Sequence, residues 1–224
     1  MKQFVDIMQH EHGLIPTLDS IVPFVKEIFT FIALGMILYS SEIIDRTIGN
    51  YVSAKTTKSF LKSTFGNFNC DIWFIRSCLF APITEELIFT LVLQEDYNNK
   101  VIFMNSVLYF GIAHLHHGYE LYVDDSNAYS LMNITISCLA QLVYTSLFGH
   151  ISNIIYSQKS QYSRIVNSIV IHSICNYFSF PSITTTGLYF CEHRISKKTK
   201  WGYEIIHKTF LLLGLYVFLS YIFW

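Results

Sequence analysis

Charge is scarce in this chain of 224 residues: Asp, Glu, Lys and Arg make up 14%, against 52% hydrophobic and 17% aromatic, with a mean hydropathy of +0.38. Soluble domains carry about a quarter charged residues, so this scarcity excludes an ordinary soluble globule and points to a membrane protein. A basic excess is missing too. The 15 Lys and Arg are balanced by 16 Asp and Glu, which gives no electrostatic argument for nucleic acid, whose binders show a clustered basic face and a high pI. Cysteines are few and scattered: Cys70, Cys78, Cys138, Cys175 and Cys191 are odd in number and never spaced as CxxC, which speaks against both a disulfide framework and a thiolate zinc site. No HExxH stands anywhere, so one helix does not supply two histidine zinc ligands. The first twenty residues lack an apolar core behind a basic start and do not read as a cleaved signal peptide.

What the chain does have is long apolar runs. A spanning helix needs about 20 mainly apolar residues, and such runs stand near 21–40, 71–94, 101–117, 128–150, 165–187 and 205–224. These predict an all-α, polytopic integral membrane bundle of about six to eight transmembrane or re-entrant helices. Short polar connections at Ser53 to Asn69, Glu95 to Lys100, Gly118 to Asn127, Gln158 to Arg164 and Glu192 to Gly202 join them. None has the composition of a domain linker, so residues 1–224 read as one membrane domain. Pro181, followed by Thr184, Thr185 and Thr186, marks the fifth run as the one to break before crossing. Arg46, Lys55, Lys58 and Lys62, and later Arg194, Lys197, Lys198 and Lys200, fall in two loops that the positive-inside rule places in the cytoplasm.

Inside the second run, Leu79 to Leu93, the only charges are the adjacent Glu85 and Glu86. Carboxylates in an apolar span are costly and mark a functional site by default. Pro82 is expected to open a helix and so place both near its N-terminus. Neighbours on a helix diverge by about 100°, so one carboxylate is expected at the chemistry and the other in support. At the end of the third run comes Phe110-Gly111-Ile112-Ala113-His114-Leu115-His116-His117. His114 and His117 share a helical face, His116 and His117 read more readily as a polar cap at the span's end than as catalytic groups, and Gly111 and Ala113 allow another helix to approach closely.

The fifth run carries His172 and Asn176, four residues apart and on one face. An imidazole and a carboxamide on one face can donate to a developing oxyanion; they can equally clamp two helices. A Cys175 and His172 nucleophilic pair is disfavoured, because a catalytic thiolate needs an electropositive, partly exposed site. Zinc held by Glu85, His114 and His172 is an alternative, though not the favoured one, and no cofactor is expected.

Three motifs, Ala81-Pro82-x-Thr84-Glu85-Glu86-x-x-Phe89, Phe110-Gly111-x-Ala113-His114-x-His116-His117 and His172-Ser173-x-Cys175-Asn176 with Pro181 following, resemble the eukaryotic type II CAAX prenyl endopeptidases, within the wider family of intramembrane glutamate proteases. The resemblance covers residues 80–182. It implies a multi-pass protease of the endoplasmic reticulum, accessible from the cytoplasm, that removes the last three residues from farnesylated or geranylgeranylated CAAX proteins. It implies Glu85 and His114 as the groups that activate water, and His172 and Asn176 as the oxyanion-stabilising pair. Glu86 and His117 are supporting residues. The departure is Thr90, where the family typically has an arginine. Glu86 then needs another partner, a hydroxyl or a water. A weakened or inactive membrane scaffold of the same fold is the alternative this departure motivates; a proton-coupled transporter is disfavoured, because no repeated halves are visible.

Overall fold

The computed structural model describes residues 16–53, 71–92, 109–123, 130–183, 185 and 196–224, excepting the side chains of His117 and Leu121. Among these residues every regular element is helical. The helices are α1 (Ile21–Leu38), α2 (Ser40–Ser53), α3 (Ile72–Ile75), α4 (Ala81–Glu85), α5 (Gly111–Ala113), α6 (His116–Val123), α7 (Leu131–Ile154), α8 (Arg164–Phe178) and α9 (Lys197–Phe223). π-Helical turns join this series at Arg76–Phe80 between α3 and α4, at Glu86–Val92 after α4, and at Ile155–Lys159 after α7.

Among the described residues, three stretches are long and apolar enough to cross a membrane: Leu18–Leu38, Leu131–Lys159 and Lys197–Phe223. In the second, only 11% of the apolar window is buried inside the protein. Such a helix would be insoluble in water, and its exposed Leu131, Met132, Ile136, Leu139, Val143 and Leu147 need lipid around them. The molecule is a polytopic helical membrane protein.

Several boundaries differ from the sequence reading. The fifth run ends early, as expected: α8 stops at Phe178, and Ser179 adopts the left-handed region at φ 64°. Gly118 to Asn127 is not all loop, since α6 continues to Val123. The last span begins at Lys197 rather than 205, because Ser196 caps it, its hydroxyl accepting the Thr199 N–H at 3.1 Å. That cap places Lys197, Lys198 and Lys200 in the first helical turn, against the helix dipole. Lys55, Lys58, Lys62, Arg194, the connections 54–69 and 95–100 and the start of the third run fall outside the described residues.

The contacts divide the chain into two compact units. The first takes in the described residues of Met1–Glu27 and Pro82–Ile169. Its core includes Leu91, Tyr156 and Ile165, with Leu87, Val166 and Ile169 packed against them. Glu27 closes the turn before α8: its carboxylate accepts the backbone N–H groups of Gln161, Tyr162 and Ser163 at 3.0 to 3.3 Å and the Ser163 hydroxyl at 2.8 Å. An anion there meets the positive end of the helix that carries His172.

The second unit takes in the described residues of Ile28–Ala81 and Val170–Trp224. Phe31 packs edge-on against Tyr221 at 5.8 Å, and the Tyr203 hydroxyl donates to buried Asp45 at 2.8 Å. Tyr39 stacks on Phe178 at 4.7 Å and donates to the Ser179 carbonyl at 2.8 Å, which secures the left-handed residue that ends α8. Gly35 and Gly214 let neighbouring helices touch. A Cβ on Gly35 would lie 2.7 Å from Ile174 Cδ1, and one on Gly214 would run into the Ile37 carbonyl oxygen.

Backbone yields less readily than a side-chain tip. Gly214→Val is therefore expected to destabilise the protein by about 1–3 kcal/mol, the range for overpacking, read as a lower Tm in detergent. An unchanged Tm would show that α1 and α9 do not pack this closely.

Candidate active site

The acidic motif sits in a helical run from Ile72 to Val92 that Pro82 does not open. Proline inside a helix lacks an N–H and clashes with the preceding turn. Here the π turn Arg76–Phe80 absorbs the fault: the Ala81 N–H reaches back five residues to the Arg76 carbonyl. Glu85 and Glu86 are thus within the run, not at its N-terminus, and the expected help from a helix dipole is absent.

The two carboxylates diverge as expected. Glu85 is 27% exposed, and its Oε2 lies 3.5 Å from His114 Nε2. The other ring nitrogen, Nδ1, is 2.7 Å from the Phe110 carbonyl oxygen. A carbonyl only accepts, so Nδ1 carries the hydrogen, and Nε2 faces the carboxylate either with its lone pair or, in the imidazolium, with a second proton. Glu85 and His114 can therefore hold one mobile proton between them. Phe110 is buried and packs on the imidazole at 4.9 Å, with Phe89 at 5.2 Å and Phe148 at 5.7 Å around it. Phe110, itself held by Phe89 and Phe148, limits how His114 can turn. Gly111 brings α7 close, since a Cβ there would meet Ser146 Oγ and, at 3.0 Å, Leu142 Cδ1.

Glu86 points the other way and is fully buried. Its Oε2 accepts the Thr90 hydroxyl at 2.7 Å and the Ser152 hydroxyl, from α7, at 2.5 Å. Thr90, the residue that replaces the expected arginine, is itself a partner of the carboxylate. Removing one donor leaves a buried acceptor undersatisfied, which costs about 1–3 kcal/mol. Thr90→Val and Ser152→Ala are each expected to lower the Tm accordingly, and the double variant to lose more than the sum, because each hydroxyl partly covers for the other at one oxygen. Strict additivity would count against a shared acceptor.

His172 is buried in α8, and Asn176, one turn on, is exposed. The Asn176 carboxamide donates to the Ser77 carbonyl at 2.9 Å. His116 Nδ1 is 2.6 Å from the Ala113 carbonyl on an exposed surface. Cys175 is buried, not the partly exposed setting a reactive thiolate needs. The His117 side chain lies outside the described residues. Among those described, no three His, Cys, Asp or Glu side chains cluster as a metal site would require. Ser77, Ser152 and Glu27 carried no signal in the sequence reading, since their partners are 66 to 136 residues away.

A helical membrane protein with a carboxylate and a histidine paired beside an apolar span is one class that could hydrolyse peptides within the bilayer. Comparison narrows this. The family described as type II CAAX prenyl endopeptidase Rce1-like matches residues 68–178, just under half of the chain, a stretch that holds Glu85, His114, His172 and Asn176. CAAX prenyl protease 2 of Saccharomyces cerevisiae is 28% identical over 194 residues, covering 80% of this chain and 59% of the yeast protein. The human protein of that name is 29% identical over 147 residues, 64% of this chain and 42% of the other. That of Arabidopsis thaliana is 30% identical over 125 residues, 53% and 38%. The chain thus spans about three-fifths or less of the length of these relatives. No solved structure matches it.

Proposed function

We propose that this protein is an intramembrane endopeptidase that cuts prenylated CAAX proteins between the prenyl cysteine and the three residues that follow. The observation that carries the reading is the Glu85 and His114 pair, 3.5 Å apart, on two of the three motifs shared with the family. A water lodged against Glu85 gives up a proton as its oxygen attacks the scissile carbonyl, and the proton is held between carboxylate and imidazole. The carbonyl oxygen becomes an oxyanion, to which His172 and Asn176 donate. Collapse of the tetrahedral intermediate breaks the C–N bond. The held proton passes to the leaving amine, so that a tripeptide departs and a prenyl-cysteine carboxylic acid remains, which then loses its proton to water. No metal enters this scheme.

The substrate's farnesyl or geranylgeranyl chain stays in lipid, each buried methylene contributing about 0.8 kcal/mol. We place the protein in the endoplasmic reticulum membrane, with its peptide entrance on the cytoplasmic side. Glu86 supports the site by anchoring its stretch to α7. With Thr90 and Ser152 bonded to it, the absence of the arginine does not require an inactive scaffold.

The test is to incubate membranes holding the protein with a farnesylated and with a geranylgeranylated CAAX peptide and to measure tripeptide release. Release that requires the prenyl group supports the reading. No release from either peptide by folded protein overturns it in favour of a non-catalytic member. Loss of activity to a chelator, restored by zinc, would instead support the metal alternative.

A further inference from the structure

The bond from Asn176 to Ser77 has a cause in the sequence, and the cause is a missing atom. In an α-helix the carbonyl of Ser77 would accept from the N–H four residues on, that of Ala81; in a π-helix, from the N–H five residues on, at position 82. The Ala81 N–H goes to Arg76 instead. Position 82 is proline, which has no N–H. Both helical donors are thereby withheld from the Ser77 carbonyl, and the Asn176 carboxamide takes their place at 2.9 Å.

The consequence falls on Asn176. A carboxamide can present either its oxygen or its NH2 to a neighbour, and on an exposed residue such as this one the two orientations otherwise interconvert. A carbonyl accepts and never donates, so Ser77 selects the NH2. One N–H is spent on Ser77. The second, fixed about 120° away by the planarity of the amide, is left as an oriented donor. We infer that Pro82 is a positioning residue for Asn176: by withholding a backbone N–H it frees the Ser77 carbonyl, which locks the carboxamide with its NH2 group available to an oxyanion. This rests on the oxyanion role proposed above for Asn176.

Pro82→Ala restores the N–H and lets the backbone compete for Ser77. Turnover is expected to fall about tenfold, part of the 10²–10³-fold typical of losing an oxyanion donor outright, with KM within twofold. In an Asn176→Ala background the same substitution should cost less than twofold, because the group it positions is gone. A tenfold loss that persists in that background overturns the inference and leaves Pro82 a purely structural residue.

A second measurement needs no activity. In 15N-labelled protein in detergent, the Asn176 carboxamide signal, assigned by its loss in Asn176→Ala, should show one N–H shifted downfield and slowed in solvent exchange. Pro82→Ala should abolish that protection. Two N–H protons exchanging at free-amide rates in the unaltered protein would overturn the inference even if Pro82→Ala did not fold. Absence of peptide cleavage by the unaltered protein would sink the protease reading, while the carboxamide signal would still decide whether Pro82 sets the orientation.

Discussion

Glu85→Gln is expected to lower kcat for release of the tripeptide by about 10²–10⁴-fold, the usual contribution of a positioned general base. Glutamine keeps the length and polarity of the side chain but cannot take a proton from water. Because Glu85 is 27% exposed, its carboxamide finds solvent or His114 to bond with, and the Tm should not move. The fall should appear in kcat with little change in KM, since the prenyl chain and peptide bind without the base. His114→Ala should cost a comparable factor, and the double variant little more than either single one, because the proton is held by the pair and not by one member. Retention of activity within tenfold in Glu85→Gln would remove Glu85 from the chemistry.

The divergence of the two glutamates was legible in the sequence because adjacent helical positions cannot share a direction. Which of them would be buried was not. That depends on Ser152, 66 residues along the chain from Glu86, and nothing in the local pattern of either segment announces the meeting. Thr90 is instructive here. Measured against the family it is a lost cation, yet a hydroxyl four residues after Glu86 donates to it at 2.7 Å. A buried carboxylate can be served by hydrogen bonds where an ion pair would require desolvating a second charge.

The helical class was legible for a different reason: in lipid every backbone group must be satisfied internally, so long apolar runs have few forms available. Where helices start and stop was less so. Composition does not distinguish an α turn from a π turn, and the π turn at Arg76–Phe80 turned Pro82 from an expected helix start into an interior residue. Lys197 and Lys198 read as loop because their charge resembles the loops of membrane proteins; a single serine before them was enough to start the helix. Glu27, a charge in the first apolar run, found its use at the start of α8, which only the tertiary structure could show.

The proposed oxyanion pair, His172 and Asn176, gives the second large effect, and the direction of the changes separates catalysis from packing. Asn176→Ala removes one donor and is expected to lower kcat by about 10²–10³-fold. Asn176 is exposed, so its truncation opens no cavity and stability should change little. Asn176→Asp has nearly the same shape but offers only acceptors when ionised. Its carboxylate would face the Ser77 carbonyl on one side and the developing oxyanion on the other, repelling both. It should therefore be worse than alanine, an order that a simple loss of packing would reverse. His172 is buried, so His172→Ala would confuse a lost donor with a cavity, whereas His172→Gln keeps much of the volume and one donor and should retain more activity. An aspartate variant at 176 as active as the unaltered protein would show that no negative charge develops against that side chain.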